Sequence, residues 1–132
     1  MRNSYEFYNF KKEREIMASL GMQGPYDLTS DNIDKQVTKT SPGNYGLGYE
    51  KDGSFYPKYV GRADTDLKGR LKKWVSKYSK FKFDYATSPK TAFEKECKNY
   101  HDFGESKKLD NSIHPDRPDG SNWTCPVCTK YD

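Results

Sequence analysis

Hydrophobic positions change period several times along the chain, and each change marks an element. A Gly-rich stretch, Gly43-Asn44-Tyr45-Gly46-Leu47-Gly48-Tyr49, leads through Lys51-Asp52-Gly53 into the aromatic run Phe55-Tyr56-Pro57-Lys58-Tyr59-Val60-Gly61. Two such runs joined by an Asp-Gly turn predict a hairpin. Leu67, Leu71, Trp74, Val75 and Tyr78 then recur at three- and four-residue steps, which predicts a helix capped by Asp64 with Arg70 at the edge of its apolar face. Phe81, Phe83 and Tyr85 alternate with Lys82 and Asp84, the period of a strand with one buried face. Ser88-Pro89 has the N-cap and first-position residues of a second helix, and Gly104 is placed to end it.

The ends of the chain carry weaker patterns. Asn3-Ser4-Tyr5-Glu6 resembles a capping box, and Ile16, Met17 and Leu20 continue a helical pattern to Gly21. Tyr5, Phe7, Tyr8 and Phe10 of that helix are expected to dock on the core. Residues 21–42 show no clear period beyond a short turn around Ile33 and Val37, and are read as a surface connection. The expected fold is α+β: a small three-stranded antiparallel sheet flanked by helices, with an N-terminal helix and a C-terminal tail. Residues 1–42 form the helix and connection, 43–104 the core and 105–132 the tail.

Within the second helix Ala92, Phe93, Glu96, Cys97 and Tyr100 share one face, so a carboxylate interrupts the stripe that should be buried. An unpaired carboxylate there would cost several kcal/mol or hold its proton. A structural ion pair is the plainer explanation of that residue taken alone.

Together, however, these segments resemble the GIY-YIG nuclease domain over residues 43 to about 100. Gly43-Asn44-Tyr45 matches the first signature, with Asn in place of Ile, and Tyr59-Val60-Gly61 the second. Arg70-Leu71 matches the family's catalytic Arg in the first helix, and Glu96, four residues after Ala92, its metal-binding Glu. Asn111 is the first choice for the family's final Asn and Asn122 the second. The resemblance implies hydrolysis of DNA phosphodiester bonds by water, assisted by one divalent metal, usually magnesium. Glu96 would then hold the metal, and Arg70 would brace the phosphate with its planar fork. Tyr45 would orient the attacking water or accept its proton, which requires a phenol assisted by nearby cations, and Tyr59 would support that network. A catalytically silent module of the same fold, binding nucleic acid or a protein, is the competing expectation. A small zinc-knuckle interaction protein would leave the hairpin and both tyrosine motifs unexplained.

Composition adds three constraints. At 132 residues the chain is expected to be one domain, and with 33% hydrophobic but 15% aromatic residues its core must be built largely from Tyr and Phe. Residues 61–90 hold nine Lys or Arg against three Asp, a local +6 in a chain of net +4. That favours a polyanionic partner, with Arg62, Lys68, Lys72, Lys73 and Lys77 as candidate phosphate contacts. No apolar run is long enough to span a bilayer, and no signal-peptide core is present, so a cytoplasmic protein without membrane contact is expected.

The tail is too polar to be held by apolar burial, and cysteine spacing suggests what holds it. Cys97 and His101 are four apart on one helix, and Cys125 and Cys128 form a Cys-x-x-Cys knuckle. These are the ligand spacings of a structural Cys3His zinc site, with His114 as the alternative fourth ligand. Because Cys97 follows Glu96 directly, zinc would also set the aim of that carboxylate.

Overall fold

The computed structural model describes residues 20–132, so the N-terminal helix expected from the sequence lies outside it apart from Leu20. The described chain runs β1 (Gln23–Asp27), α1 (Ser30–Gln36), β2 (Gly43–Lys51), β3 (Ser54–Ala63), α2 (Leu67–Lys72), β4 (Lys80–Tyr85), α3 (Pro89–Asp102) and α4 (Glu105–Lys108). The strands form one antiparallel sheet in the order β1-β4-β2-β3. Among the described residues the fold is α+β with four strands, not the three expected. The extra strand, β1, reads Gln-Gly-Pro-Tyr-Asp and shows no alternation because essentially one of its side chains meets the core. Tyr26 lies 5.6 Å from the Phe81 ring, and pairing with β4 makes the rest a strand. Pro25 is tolerated because β1 is at the sheet edge.

The hairpin forms as its turn dictates. Asp52 and Gly53 both take positive φ, 53° and 78°, the geometry of a two-residue turn whose twist matches its strands. Along β2, side chains alternate between the two faces of the sheet. Tyr45 and Leu47 join Phe81 and Phe83 in a core closed by Ile33 and Val37 from the α1 segment and by Leu67 and Leu71 from α2. On the other face, Val60 packs with Tyr100 and Leu109, and Phe93 packs with Cys97 and Cys125.

The helices Ser30–Gln36, with Ile33 fully buried, and Glu105–Lys108 were not expected, and α2 differs from expectation at both ends. Asp66, not Asp64, caps α2, accepting a hydrogen bond from Gly69 N at 3.2 Å. The helix also stops at Lys72 rather than reaching Tyr78. Trp74 N bonds to Leu71 O and Lys77 N to Trp74 O, so the chain continues in three-residue turns that preserve the spacing read as helical. The α3 helix starts as predicted, with Ser88 and Thr91 in a reciprocal capping box and Pro89 at its first position, and Gly104 follows it with φ 101°.

Two side-chain amides fix α3 and the tail to the hairpin. Asn44 Nδ2, buried on β2, donates to the Ala92 carbonyl at 2.8 Å and so sets the first turn of α3 against the sheet. Asn111 Oδ1 accepts from Val60 N at 3.0 Å while its Nδ2 donates to Val60 O at 2.8 Å. In this way one side chain satisfies both backbone groups that the edge strand β3 would otherwise leave open at Val60.

Candidate active site and metal centre

Beside β3 lies a cavity of about 470 Å³. Its walls include Tyr45 and Tyr59 from the hairpin, Arg62 and Asp64 from the end of β3, Arg70 from α2, Glu96 from α3 and residues 110–116 of the tail. Four of the five residues matched to the GIY-YIG pattern therefore meet from four different elements, and Asn111 stands at the wall. Asn122, the second choice, is exposed on the tail and lies outside the cavity.

Glu96 is buried, and Arg62 Nη1 donates to its Oε1 at 2.6 Å. The same guanidinium bonds Asp64 Oδ1 through Nε at 2.9 Å and lies over the Phe93 ring, its Cζ 5.1 Å from the centroid. Burial pushes the Glu96 carboxyl up to about 7, and the pull of Arg62 in the other direction does not cancel it. For Arg62, burial alone would weaken the charge, but Glu96 and Asp64 outweigh it and raise its pKa. The anomaly of a carboxylate on an apolar helix face thus has a partner, and that partner is Arg62. The second carboxylate oxygen, Oε2, makes no hydrogen bond among the described residues. One free carboxylate oxygen in a polar cavity, with room for several waters, suits magnesium, which usually keeps much of its hydration shell. Arg70 is exposed at the cavity and its side chain forms no hydrogen bond or salt bridge among the described residues, so its fork is available to an anion.

The two tyrosines stack, with centroids 6.5 Å apart and planes 21° from parallel. Tyr45 reaches the cavity by crossing Gly61: a Cβ at that position would overlap its ring and hydroxyl. The second signature therefore needs Gly so that the first can reach through the sheet edge. Burial raises the pKa of Tyr45 strongly, and the Tyr59 phenol adds to the rise. Trp74 Nε1 donates to Tyr45 Oη at 3.0 Å, and Arg70 also pulls the pKa down, but together they do not offset burial. Tyr45 thus stays protonated near neutral pH: Trp74 donates to its oxygen, and its own hydrogen has no acceptor among the described residues and is free for one in the cavity. That suits it to orienting a water and not to taking a proton. Tyr59 is likewise raised, chiefly by burial and then by Glu96.

Neither family models nor curated proteins nor solved structures give a match to this chain. Among the described residues no helix is long and apolar enough to cross a membrane.

A second constellation lies where α3 meets the tail. His101, His114, Cys125 and Cys128 place one ligand atom each within 4.8 Å of one another. Cys125 Sγ is 3.5 Å from His101 Nε2, and Cys128 Sγ is 3.4 Å from His114 Nε2. Sulfur and nitrogen bound tetrahedrally to one zinc would lie about 3.6 Å apart, so these spacings are those of two edges of a ligand tetrahedron. Each histidine is oriented through its other nitrogen: His101 Nδ1 meets Glu105 Oε2 at 2.7 Å, and His114 Nδ1 meets the Pro115 carbonyl at 2.9 Å. Against burial, which would raise it, the backbone amides of Val127 and Cys128 hold the Cys125 thiol down near 6, favouring the thiolate a metal requires. This cluster can hold a metal ion such as zinc.

The cluster differs from the expected ligand set at one position. His114 takes the place given to Cys97, so both histidines take part. Cys97 faces inward from α3 among Phe93, Cys125 and Trp123, and burial raises its thiol pKa, keeping it neutral. His101, one turn later, reaches the tail. The sequence spacing places Cys97 and His101 on one helix side, and both meet the tail, but only the path of the tail decides which of them joins the cluster.

The basic residues are spread unevenly. Arg62 is held inside the cavity wall, while Lys72 and Lys68 share Asp34 at 2.7 and 3.8 Å. Lys73 and Lys77 are exposed and make no salt bridge among the described residues. Sequence reasoning missed Trp74 as the donor to Tyr45, Asp64 as a second clasp on Arg62, and Asn44 as the tie to α3. Trp74 falls on the apolar face and Asn44 stands in a motif position, so neither carried a signal of its bond.

Proposed function

We propose that the protein is a divalent-metal-dependent endonuclease of the GIY-YIG type that hydrolyses DNA phosphodiester bonds. The observation that carries this reading is the convergence of Tyr45, Tyr59, Arg70 and Glu96 on one cavity, with an unbonded carboxylate oxygen and a free guanidinium both exposed to it. Glu96 would hold magnesium, which would neutralise charge on the scissile phosphate and stabilise the leaving oxygen. Arg70 would grip the phosphate, and Tyr45, positioned by Trp74 and stacked on Tyr59, would orient the attacking water. Asn111 would act by holding the tail wall, since both polar atoms of its side chain are engaged by Val60. Zinc at His101, His114, Cys125 and Cys128 would be structural: four protein ligands close the shell and leave no position for substrate.

A second reading is favoured by the Arg62–Glu96 bond, which already satisfies one carboxylate oxygen: a silent module of this fold that binds nucleic acid or a protein. Incubating the parent and Glu96→Gln with supercoiled DNA and magnesium decides between them. The parent should nick or linearise the DNA and the variant should bind without cutting. Equal cleavage by both would remove Glu96 from the mechanism, and cleavage by neither would leave the binding module.

A further inference from the structure

The stacked tyrosines of the cavity are the buried end of a longer row of aromatic rings. Tyr59 meets Trp74 at 4.5 Å, and Trp74 meets Tyr78 at 6.1 Å. Farther along the hairpin, Tyr49 lies opposite Tyr56 and their rings stack at 5.4 Å, 19° from parallel. All lie on one face: Leu47 and Tyr49, two apart on β2, stand opposite Tyr59 and Tyr56, the irregularity that leaves Lys58 unpaired on β3 keeps those two on one side, and Phe55 next to Tyr56 packs on the other face. The buried core on that face ends at Leu47, leaving Tyr49 and Tyr56 each 44% exposed. Tyr59, Trp74 and Tyr78 are half-buried, so each keeps part of its surface in water. Tyr59 and Tyr56 stand opposite residues two apart on β2, so they lie about 7 Å from each other along the strand.

A cross-strand tyrosine pair strengthens a hairpin, which accounts for the Tyr49–Tyr56 stack by itself. It does not account for the part-exposed row of Tyr59, Trp74 and Tyr78 on the same face, with the unpaired Lys73 and Lys77 flanking Trp74 in the chain. Aromatic rings that stack bases beside cations that meet phosphates are the means by which proteins hold single strands without regard to sequence. A duplex cannot use the rings, because its base faces are already stacked on one another.

We propose that Tyr49 and Tyr56, with the row behind them, form a stacking platform for unpaired bases, so that the preferred substrate carries single-stranded DNA beside the scissile phosphate. The position of the cut rests on the nuclease reading above; the binding does not.

Binding is therefore measured in magnesium-free buffer, with the full chain, against a short single-stranded oligonucleotide carrying 2-aminopurine and against a duplex of equal length. The parent should bind the single strand more tightly than the duplex and quench the 2-aminopurine on stacking. Tyr49→Ala and Tyr56→Ala should each weaken single-strand binding by about tenfold and relieve the quenching, with duplex affinity within about twofold of the parent. Tyr49→Phe and Tyr56→Phe keep the ring and should behave as the parent, which separates stacking from damage to the hairpin. Unchanged single-strand affinity in the Ala variants, equal losses on both DNA forms, or Phe variants that fail like Ala would each overturn the platform. A parent that binds in this way but cuts nothing with magnesium would sink the nuclease reading alone. A parent that cuts while the Ala variants bind as it does would sink the platform alone.

Discussion

Glu96 is placed so that its protonation can be read in stability as well as in activity. Its carboxyl is pushed from the ordinary 4.5 up to about 7, chiefly by burial. The folded state then holds the proton more tightly than the unfolded chain does. The resulting stabilisation is complete below pH 4.5 and is lost as pH rises through about 7. At about 1.4 kcal/mol per tenfold in proton affinity, the loss is about 3 kcal/mol. Gln has no such proton, so the perturbation is Glu96→Gln and the quantity is the stability difference between parent and variant. Denaturant unfolding of both, without magnesium, at intervals from pH 4 to pH 8, should show the parent losing about 3 kcal/mol relative to the variant. Groups that titrate in both chains, His101 among them, cancel in the difference. The same proton competes with magnesium, so cleavage should rise about tenfold per pH unit below 7 and level off above it. If the Arg62 charge outweighed burial, the carboxyl would lie below 4.5, and the parent would instead lose stability relative to the variant as pH falls. That opposite slope, or a flat difference, would refute the burial argument.

Metal content tests the second constellation: protein purified without chelators should carry close to one zinc per chain. His114→Ala and Cys125→Ser should lose the zinc and melt at lower temperature, whereas Cys97→Ala should keep it; loss of zinc in the Cys97 and Cys125 variants with retention in His114→Ala would restore the ligand set read from spacing. Salt dependence tests the basic surface. Removing Lys73 or Lys77 should each flatten the log-log salt slope of DNA binding by roughly 0.9 and Lys68 or Lys72 by less, because Asp34 already faces those two; a slope that none of the four changes would place the phosphate contacts elsewhere.

What the sequence disclosed was local, and what it hid was decided at a distance. The Asp-Gly turn, the Ser-Pro cap and the i, i+4 stripe of α3 act within a few residues, so the hairpin and the helix that carries Glu96 were legible. Nothing local makes Gln23–Asp27 a strand; it needs β4 beside it. Nor does anything local say that Trp74 donates to Tyr45, since its spacing fits a core position equally well. The candidate metal cluster shows the same division, for the helix supplied two candidates and the path of the tail brought one of them into the cluster. That choice bears on the cavity. Asn111 clamps the tail to Val60, and His114, three residues on, belongs to the metal cluster, so residues 111–114 of the cavity wall are fixed at both ends. The sequence suggested that zinc would act on Glu96 through its neighbour Cys97. The structure offers a different route, in which a metal at that cluster would hold the wall facing Arg70 and Glu96, and the polar tail would be tied at one end to a strand edge and at the other to the metal.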